Sequence, residues 1–360
     1  MNKNKLSDET KTYKLSDETK TTPEGVVLHR VVATKTFTLA NGLTINTGDL
    51  GGWIEKESNL SDNAWVSDNA QVYGNAKVSG DALVSGNAQV YGNAKVCGNA
   101  KVCGYARVYG YARVNNNALV FGNAQVYDNA EVYGNAWVSD DAQVYGDAQA
   151  SGNALVSDNA QVSDNAQVSG DALVFDNAKI SDNAKVSGNA KVSGNTWVYG
   201  YAKVYGKAKV YGYARVYGYA RVYGNALVLG NSQVSGTAQV SDNTQVYGDA
   251  HVSGTAQVYG NARVSGNAKV DEDALVSDNA QIAGDAKVMH VSDYMTFKNN
   301  WSSGRYFTWT KSNDMWTVGC FYGTGDELIE RAYADSEDSG KHYETYVKFV
   351  ETLKNMEQDN

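Results

Sequence analysis

An aliphatic residue recurs at every sixth position of this chain from residue 60 to residue 288. Val fills nearly all of these 39 positions, and the exceptions are Leu60, Ala150, Ile180 and Ile282. Ala lies two residues before almost every Val, and Gly-Asn, Asp-Asn or Gly-Asp commonly follows within two residues. Alternating inward and outward positions are typical of a short strand, and the pairs after it tolerate the left-handed backbone of a sharp corner. Each hexad therefore predicts one strand and one bend.

A single hexad cannot bury its own Val, so the chain must coil and stack its strands in parallel. Stacked strands lie about 4.8 Å apart. Each well-buried Val contributes roughly 1.5–3 kcal/mol, which the conformational entropy of ordering the chain offsets. The repeat therefore predicts an all-β solenoid with a continuous apolar core.

These hexads resemble the hexapeptide repeat of left-handed parallel β-helices. The resemblance implies a left-handed coil of three hexads, so that residues eighteen apart stack, and about 13 coils between residues 60 and 288. Residues 48–61, GDLGGWIEKESNLS, resemble the segment that precedes the repeats in the YdcK family of bacterial and prophage proteins. Residues 318–324, VGCFYGT, are similar to a C-terminal module of prophage-borne members. Some of these relatives carry a transferase label, but a repeat fold does not determine function.

The rest of the chain divides into segments with different compositions. Residues 1–22 contain a polar duplication, residues 23–59 predict an N-terminal β cap, and residues 60–288 predict the β-helix. Within the cap, residues 37–45 predict a hairpin with Asn41-Gly42 at its turn. Residues 289–360 predict a small α+β module. Its predicted strands are 294–297, 305–311 and 315–322, and its predicted helices begin near Asp326 and span 342–356.

Composition excludes several classes of protein. Three cysteines cannot form a disulfide framework, and no apolar run approaches the roughly 18 residues of a membrane span. The polar start lacks a signal core, so we expect a cytoplasmic protein with no membrane partner. A net charge of −9 disfavours general attraction to nucleic acid, although local patches leave that partner open.

No cofactor is predicted. A calcium site is disfavoured because the period is six rather than nine and Asn outnumbers the acids at the corners.

One side of the predicted solenoid carries large apolar residues at outward positions. An apolar patch of this extent marks an interface. The predicted interface residues are Trp65, Leu83, Leu119, Phe121, Trp137, Leu155, Leu173, Phe175 and Leu227. We expect self-association, and the resemblance implies a trimer as the homo-oligomer. Cover by the chain's own termini and an external partner are the alternatives.

Tyr and Arg alternate in two copies of one motif that lie 108 residues apart. Aromatic rings between cations can stack on bases or sugars and pair with phosphates. The candidate residues for an anionic, nucleotide or glycan ligand are Tyr105, Arg107, Tyr109, Arg113, Tyr213, Arg215, Tyr217 and Arg221. The alternative is a duplicated segment whose tyrosines pack on one another.

Histidine is scarce, which bears on catalysis. The hexads contain His251 alone, at an outward position, and His290 follows their end. A catalytic base needs orienting partners, which the repeat does not supply. The sequence thus favours a non-enzymatic scaffold or binding protein of phage or prophage type, which binds through an outer side or the C-terminal module. The alternative is a hexapeptide-type acyltransferase that uses acyl-CoA, with His251 or His290 as its base.

Overall fold

A computed structural model describes residues 11–358, except for the side chain of Gln358. The chain forms two compact units, residues 11–200 and residues 201–358, and the boundary between them falls inside the repeat array. Among the described residues, no helix is both long and apolar enough to span a membrane.

The first unit begins with a β cap. The strands Tyr13–Thr21, Val27–Ala33 and Leu50–Ile54 pair antiparallel, and the last of them continues in parallel onto Gln71–Val72. The second copy of the polar duplication therefore forms the outer strand, and the cap starts at residue 13 rather than 23. Most of the first copy lies outside the described residues. The short strands Phe37–Thr38 and Thr44–Ile45 form the expected hairpin.

The repeats of the first unit form about eight coils. Strands of two residues recur every six residues from Trp65–Val66 to Trp197–Val198, after a 3₁₀ turn at Glu57–Asn59. Within this unit, strands that begin eighteen residues apart pair in parallel, as Val90 does with Val108, and this pairing builds three sheets. The inward Val and Ala side chains are fully buried. The predicted parallel solenoid with residues eighteen apart in register is confirmed.

The corners between sheets depend on residues with positive φ. Gly80 has φ +71°, and a Cβ there would lie 2.9 Å from the carbonyl oxygen of Gly98 in the next coil. Asp140 takes the same conformation, with φ +57°. The next corner residue is commonly Asn, and Asn117 Nδ2 donates to Asn135 Oδ1 at 3.0 Å. Hydrogen bonds between corner side chains thus join one coil to the next.

The second unit contains about five further coils and the C-terminal module. Its hexad strands run from Lys203–Val204 to Lys287–Val288, followed by a 3₁₀ turn at Val291–Asp293. An antiparallel sheet of Tyr294–Lys298, Tyr306–Thr310, Met315–Val318 and Phe321–Gly323 follows. The helices are Gly325–Asp335 and Glu337–Gln358.

The C-terminal module differs from the sequence prediction in two places. The predicted strand 315–322 is broken by a turn at Gly319, where φ is +61°, and Cys320 beside this turn is exposed. The second helix begins at Glu337, five residues earlier than predicted. The first helix begins near Asp326 as predicted, and Thr324 caps it by accepting a hydrogen bond from the backbone N–H of Glu327.

This module covers the last coil of the second unit. The backbone N–H of Gln281 donates to Thr308 Oγ1 at 2.9 Å, and that of Lys287 donates to Ser312 Oγ. The Tyr294 hydroxyl accepts from the backbone N–H of Ser277. These bonds occupy N–H groups that an open end of the sheet would leave exposed for edge-to-edge association.

Candidate interaction surface

One sheet of the first unit presents an outer surface that we call the apolar face. Its outward residues form two columns, one before and one after the buried Val of each strand. The column before the Val contains Leu83, Lys101, Leu119, Trp137, Leu155, Leu173 and Lys191. The column after it contains Ser85, Cys103, Phe121, Ser139, Ser157, Phe175 and Ser193.

Trp65 begins the first column in the sequence but is not part of the exposed surface. Its side chain is only 3% exposed, and its ring makes an edge contact with Phe37 at 5.9 Å between centroids. The N-terminal hairpin therefore covers the first position of the predicted interface. At Trp65, the alternative that the chain's own N-terminal segment covers the apolar side is therefore the one observed.

The middle of the apolar face protrudes on one side and is recessed on the other. Trp137 is 50% exposed, and its ring contacts the Phe121 ring edge to face at 6.4 Å. Across the strand, Ser139 and Ser157 are almost completely buried. Leu83, Leu119, Leu155, Leu173 and Phe175 are half-buried at the predicted positions. The result is a ridge beside a hollow.

The second unit has no comparable apolar column among its described residues. Leu227 is half-buried and lies between Lys209 and Gln245 in the adjacent strands of its sheet. Flanking polar side chains separate it from any larger patch. Leu227 therefore lacks the neighbours that make the apolar face of the first unit continuous.

A second face of the first unit carries a column of stacked tyrosines. Their ring centroids lie 5.0–5.1 Å apart and their planes differ by no more than 5°. The column consists of Tyr73, Tyr91, Tyr109, Tyr127 and Tyr145. The Tyr109 hydroxyl also donates to Gln125 Oε1 at 3.3 Å. Tyr109 was predicted to bind a ligand. It instead packs against neighbouring tyrosines, as the alternative of a duplicated segment with stacked tyrosines predicts.

The remaining tyrosines of the motif project from the corners. Tyr105 and Tyr111 are each 64% exposed and lie at opposite ends of the strand that carries Arg107. The same arrangement recurs in the second unit, where Tyr213 and Tyr219 flank Arg215. The structure thus brings an arginine between two exposed rings on one face.

The structure separates other residues of the same motif from that face. Arg113 lies on the adjacent sheet and pairs with Glu131 at 3.2 Å. Arg221 likewise lies on another sheet than Arg215, while Tyr217 donates to Gln233 Oε1 in the next strand. Neither Tyr111 nor Tyr219 was among the ligand residues predicted from the sequence. Their corner position, three residues after a Val, was the signal that could have identified them.

The two candidate bases have different surroundings. His251 is half-buried on its strand, between Gln233 and Lys269 of the neighbouring strands. His290 Nδ1 lies 2.7 Å from Asp273 Oδ1, and this hydrogen bond raises the pKa of His290. The imidazole of His290 is 62% exposed. An oriented imidazole is therefore present, but it lies at the open surface.

Neither cysteine nor acidic clusters supply a metal centre in the part of the chain that the structure describes. No group of three or more His, Cys, Asp or Glu side chains there is arranged to hold a metal ion. Cys97, Cys103 and Cys320 are free thiols. Burial raises the pKa of the Cys97 and Cys103 thiols, which lowers their reactivity.

Comparison with protein families identifies the repeat. The YdcK β-solenoid repeat matches residues 70–86, 76–92, 124–140, 148–164, 220–236 and 256–270. No curated protein matches the chain. The matched segments all lie in the hexad array, whose strands form the parallel coils described above. The chain is a β-solenoid protein built from YdcK-type repeats.

Proposed function

We propose that this protein is a non-enzymatic scaffold of phage or prophage type that self-associates through the apolar face. The observation that supports this function is Trp137, half of whose side chain is exposed beside Leu119, Leu155 and Leu173. Large contiguous apolar patches on soluble proteins commonly mark binding sites. The phage or prophage setting rests on the resemblance of residues 318–324.

The boundaries of the apolar face also fit an interface. Lys101 and Lys191 flank the apolar run from Leu119 to Leu173 in the first column, and Leu83 lies beyond Lys101. Interfaces combine an apolar centre with a polar rim. A solenoid that pairs through one face leaves the other faces of the same coils free for a partner or ligand.

Sedimentation of the double variant Trp137→Lys with Leu155→Lys tests self-association. We expect particles of monomer mass, because four like charges would meet at the centre of a paired face. The matched control is Gln149→Lys with Gln167→Lys, which introduces the same charges at outward positions in adjacent coils of another sheet. A wild-type protein that sediments as a monomer at every concentration would contradict the proposed function.

The exposed Tyr and Arg side chains favour a second role, the binding of an anionic ligand such as a nucleotide, an oligonucleotide or an acidic glycan. The support is Arg215 between the exposed rings of Tyr213 and Tyr219. In a binding screen, Arg215→Glu with Arg221→Glu should abolish the signal. The control, Gln233→Glu with Gln239→Glu, places the same charges one coil later. If the wild-type protein binds none of these ligands, the proposed second role is wrong and the Tyr and Arg side chains have only a structural role.

The alternative function is acyl transfer from acyl-CoA. Its support is the hydrogen bond between His290 and Asp273, which orients an imidazole as a general base requires. His251 has no comparable carboxylate among its paired neighbours, Gln233 and Lys269. Of the two predicted bases, His290 is therefore the one to test.

A further inference from the structure

The relief of the apolar face suggests how two copies would meet. We propose that two chains pack face to face about a two-fold axis parallel to the stack of coils, with Trp137 of each copy in the hollow at Ser139 of the other. This inference rests on the proposed self-association and names its partner, a second copy of this chain.

The proposed axis pairs the two columns with each other. A two-fold rotation about the coil direction preserves the height of every coil but exchanges the two sides of the face. Each residue before a Val then lies opposite the residue after the Val of the same coil. Trp137 faces Ser139 of the second copy, Leu155 faces Ser157, and in the next coil Leu119 faces Phe121.

The hollow is recessed and has the chemistry to accept an indole ring. Ser139 is 3% exposed and Ser157 is 8% exposed, so both lie deep in the face. Phe121 and Phe175 occupy the same column in the coils on either side. Ser139 Oγ already donates to Asp140 Oδ2 at 2.8 Å. An aromatic ring can therefore cover this serine without leaving its hydroxyl unpaired.

An antiparallel arrangement fits less well. A two-fold axis across the coils would place Phe121 opposite Phe175 and Ser139 opposite Ser157. Phe121 against Phe175 would hold the faces further apart than Leu119 against Phe121 does. A void would remain between the two serines, which face Trp137 and Leu155 in the proposed arrangement. Well-packed interfaces do not tolerate such voids, because the atoms around them lose their dispersion contacts.

The two edges of the apolar face differ in charge. The corner after the Val carries Asp140 and Asp158, whereas the corner before the Ala carries Asn135 and Asn153. In the proposed arrangement the amide edge of one copy meets the carboxylate edge of the other. The antiparallel arrangement would bring like charges together, which destabilises a pairing.

Disulfide cross-linking distinguishes the two arrangements. Cys97, Cys103 and Cys320 are first replaced by Ser. A protein with Leu119→Cys is then mixed with one that carries Phe121→Cys and oxidised. We expect cross-linked dimers from this mixture and few from the control mixture of Leu119→Cys with Leu173→Cys. Cross-linking in the control mixture alone would establish the antiparallel arrangement and overturn the proposal.

Exchange of the ridge and the hollow provides an independent test by analytical ultracentrifugation. Ser139→Trp alone fills the hollow and should weaken self-association at least about tenfold. The double variant Trp137→Ser with Ser139→Trp should regain an affinity within about threefold of the wild type, since each copy would again set an indole ring against a serine of the other. A double variant no better than Ser139→Trp would overturn the arrangement.

The outcomes separate this inference from the function on which it rests. A wild type that stays monomeric would refute self-association itself. A dimer that lacks the cross-link between positions 119 and 121 would refute only the arrangement. A trimer, as the resemblance implies, would also overturn the two-fold axis.

Discussion

The phenol rings of Tyr109 and Tyr127 lie parallel in neighbouring coils, with centroids 5.0 Å apart and planes 1° from one another. Each ring covers much of the next, which removes the column from water on two sides. Burial, with smaller contributions from the adjacent tyrosines, raises the pKa of Tyr127 to about 12. The stacked column therefore favours neutral phenols.

The raised pKa predicts a loss of stability at high pH. In the unfolded chain Tyr127 loses its proton near pH 10, whereas in the folded chain it keeps the proton to about pH 12. Its contribution is thus fully present below pH 10 and is lost as the pH rises towards 12. Urea unfolding midpoints measured over this range should fall less steeply for Tyr127→Phe than for the wild type.

A substitution at Ala150 should stabilise the protein. It is fully buried and pairs with Val132 and Val168 in the neighbouring coils, at a position that is Val in nearly every hexad. We expect Ala150→Val to raise the free energy of unfolding by about 1 kcal/mol, because two methyl groups fill the core. Val132→Ala, the matched reverse change, should lower it by about 2 kcal/mol. A lower unfolding midpoint for Ala150→Val would show that the core is already full.

Gly284 tests the cover of the last coil. Its φ is +64°, and a Cβ there would overlap the Tyr322 hydroxyl of the C-terminal module. Gly284→Ala should displace Tyr322 and speed amide hydrogen exchange in the last coil. Gly304→Ala is the control, since Gly304 has the same φ and no atom within 4 Å of the added Cβ. We expect Gly284→Ala to cost about 1–2 kcal/mol more than the control. Equal costs would mean that the module does not press on this coil.

The titration of His290 should depend on Asp273, and the same histidine allows a test of catalysis. The hydrogen bond to Asp273 favours the imidazolium, so Asp273→Asn should lower the pKa of His290 in an NMR titration. If acyl-CoA turnover occurs and disappears in His290→Ala, the enzymatic alternative replaces the scaffold. Turnover that survives this substitution would exclude His290 as the base.

The period of the sequence predicts the solenoid because a residue every six positions can be buried only when strands stack in register. Val90 and Val108 illustrate this, since they stack in register eighteen residues apart, the spacing that the resemblance to hexapeptide-repeat β-helices implies. Tyr109 shows the limit of the same counting. Its outward position was predictable, but its stacking against Tyr91 and Tyr127 depends on the orientation of the rings.

Irregular segments were predicted less well. Gly319 turns a predicted strand into two, and this turn exposes Cys320. The residues on both sides of Gly319 have the composition of a strand. The position of the turn could not be predicted from them, because packing against the helices decides it and no repeat period marks it. The hydrogen bond between His290 and Asp273 joins residues 17 apart at the end of the repeats, where no register exists to predict it.

By itself, the sequence determined which side chains of the repeats face inward, since each hexad must bury its apolar residue, whereas the stacking of residues eighteen apart was an expectation from the resemblance to hexapeptide-repeat β-helices. Only the tertiary structure decided which outward residues remain accessible. Trp65 and Trp137 occupy the same column, yet Phe37 covers the first while half of the second meets solvent. The reason is that cover comes from segments distant along the chain, and their packing is set by contacts that a local repeat does not encode.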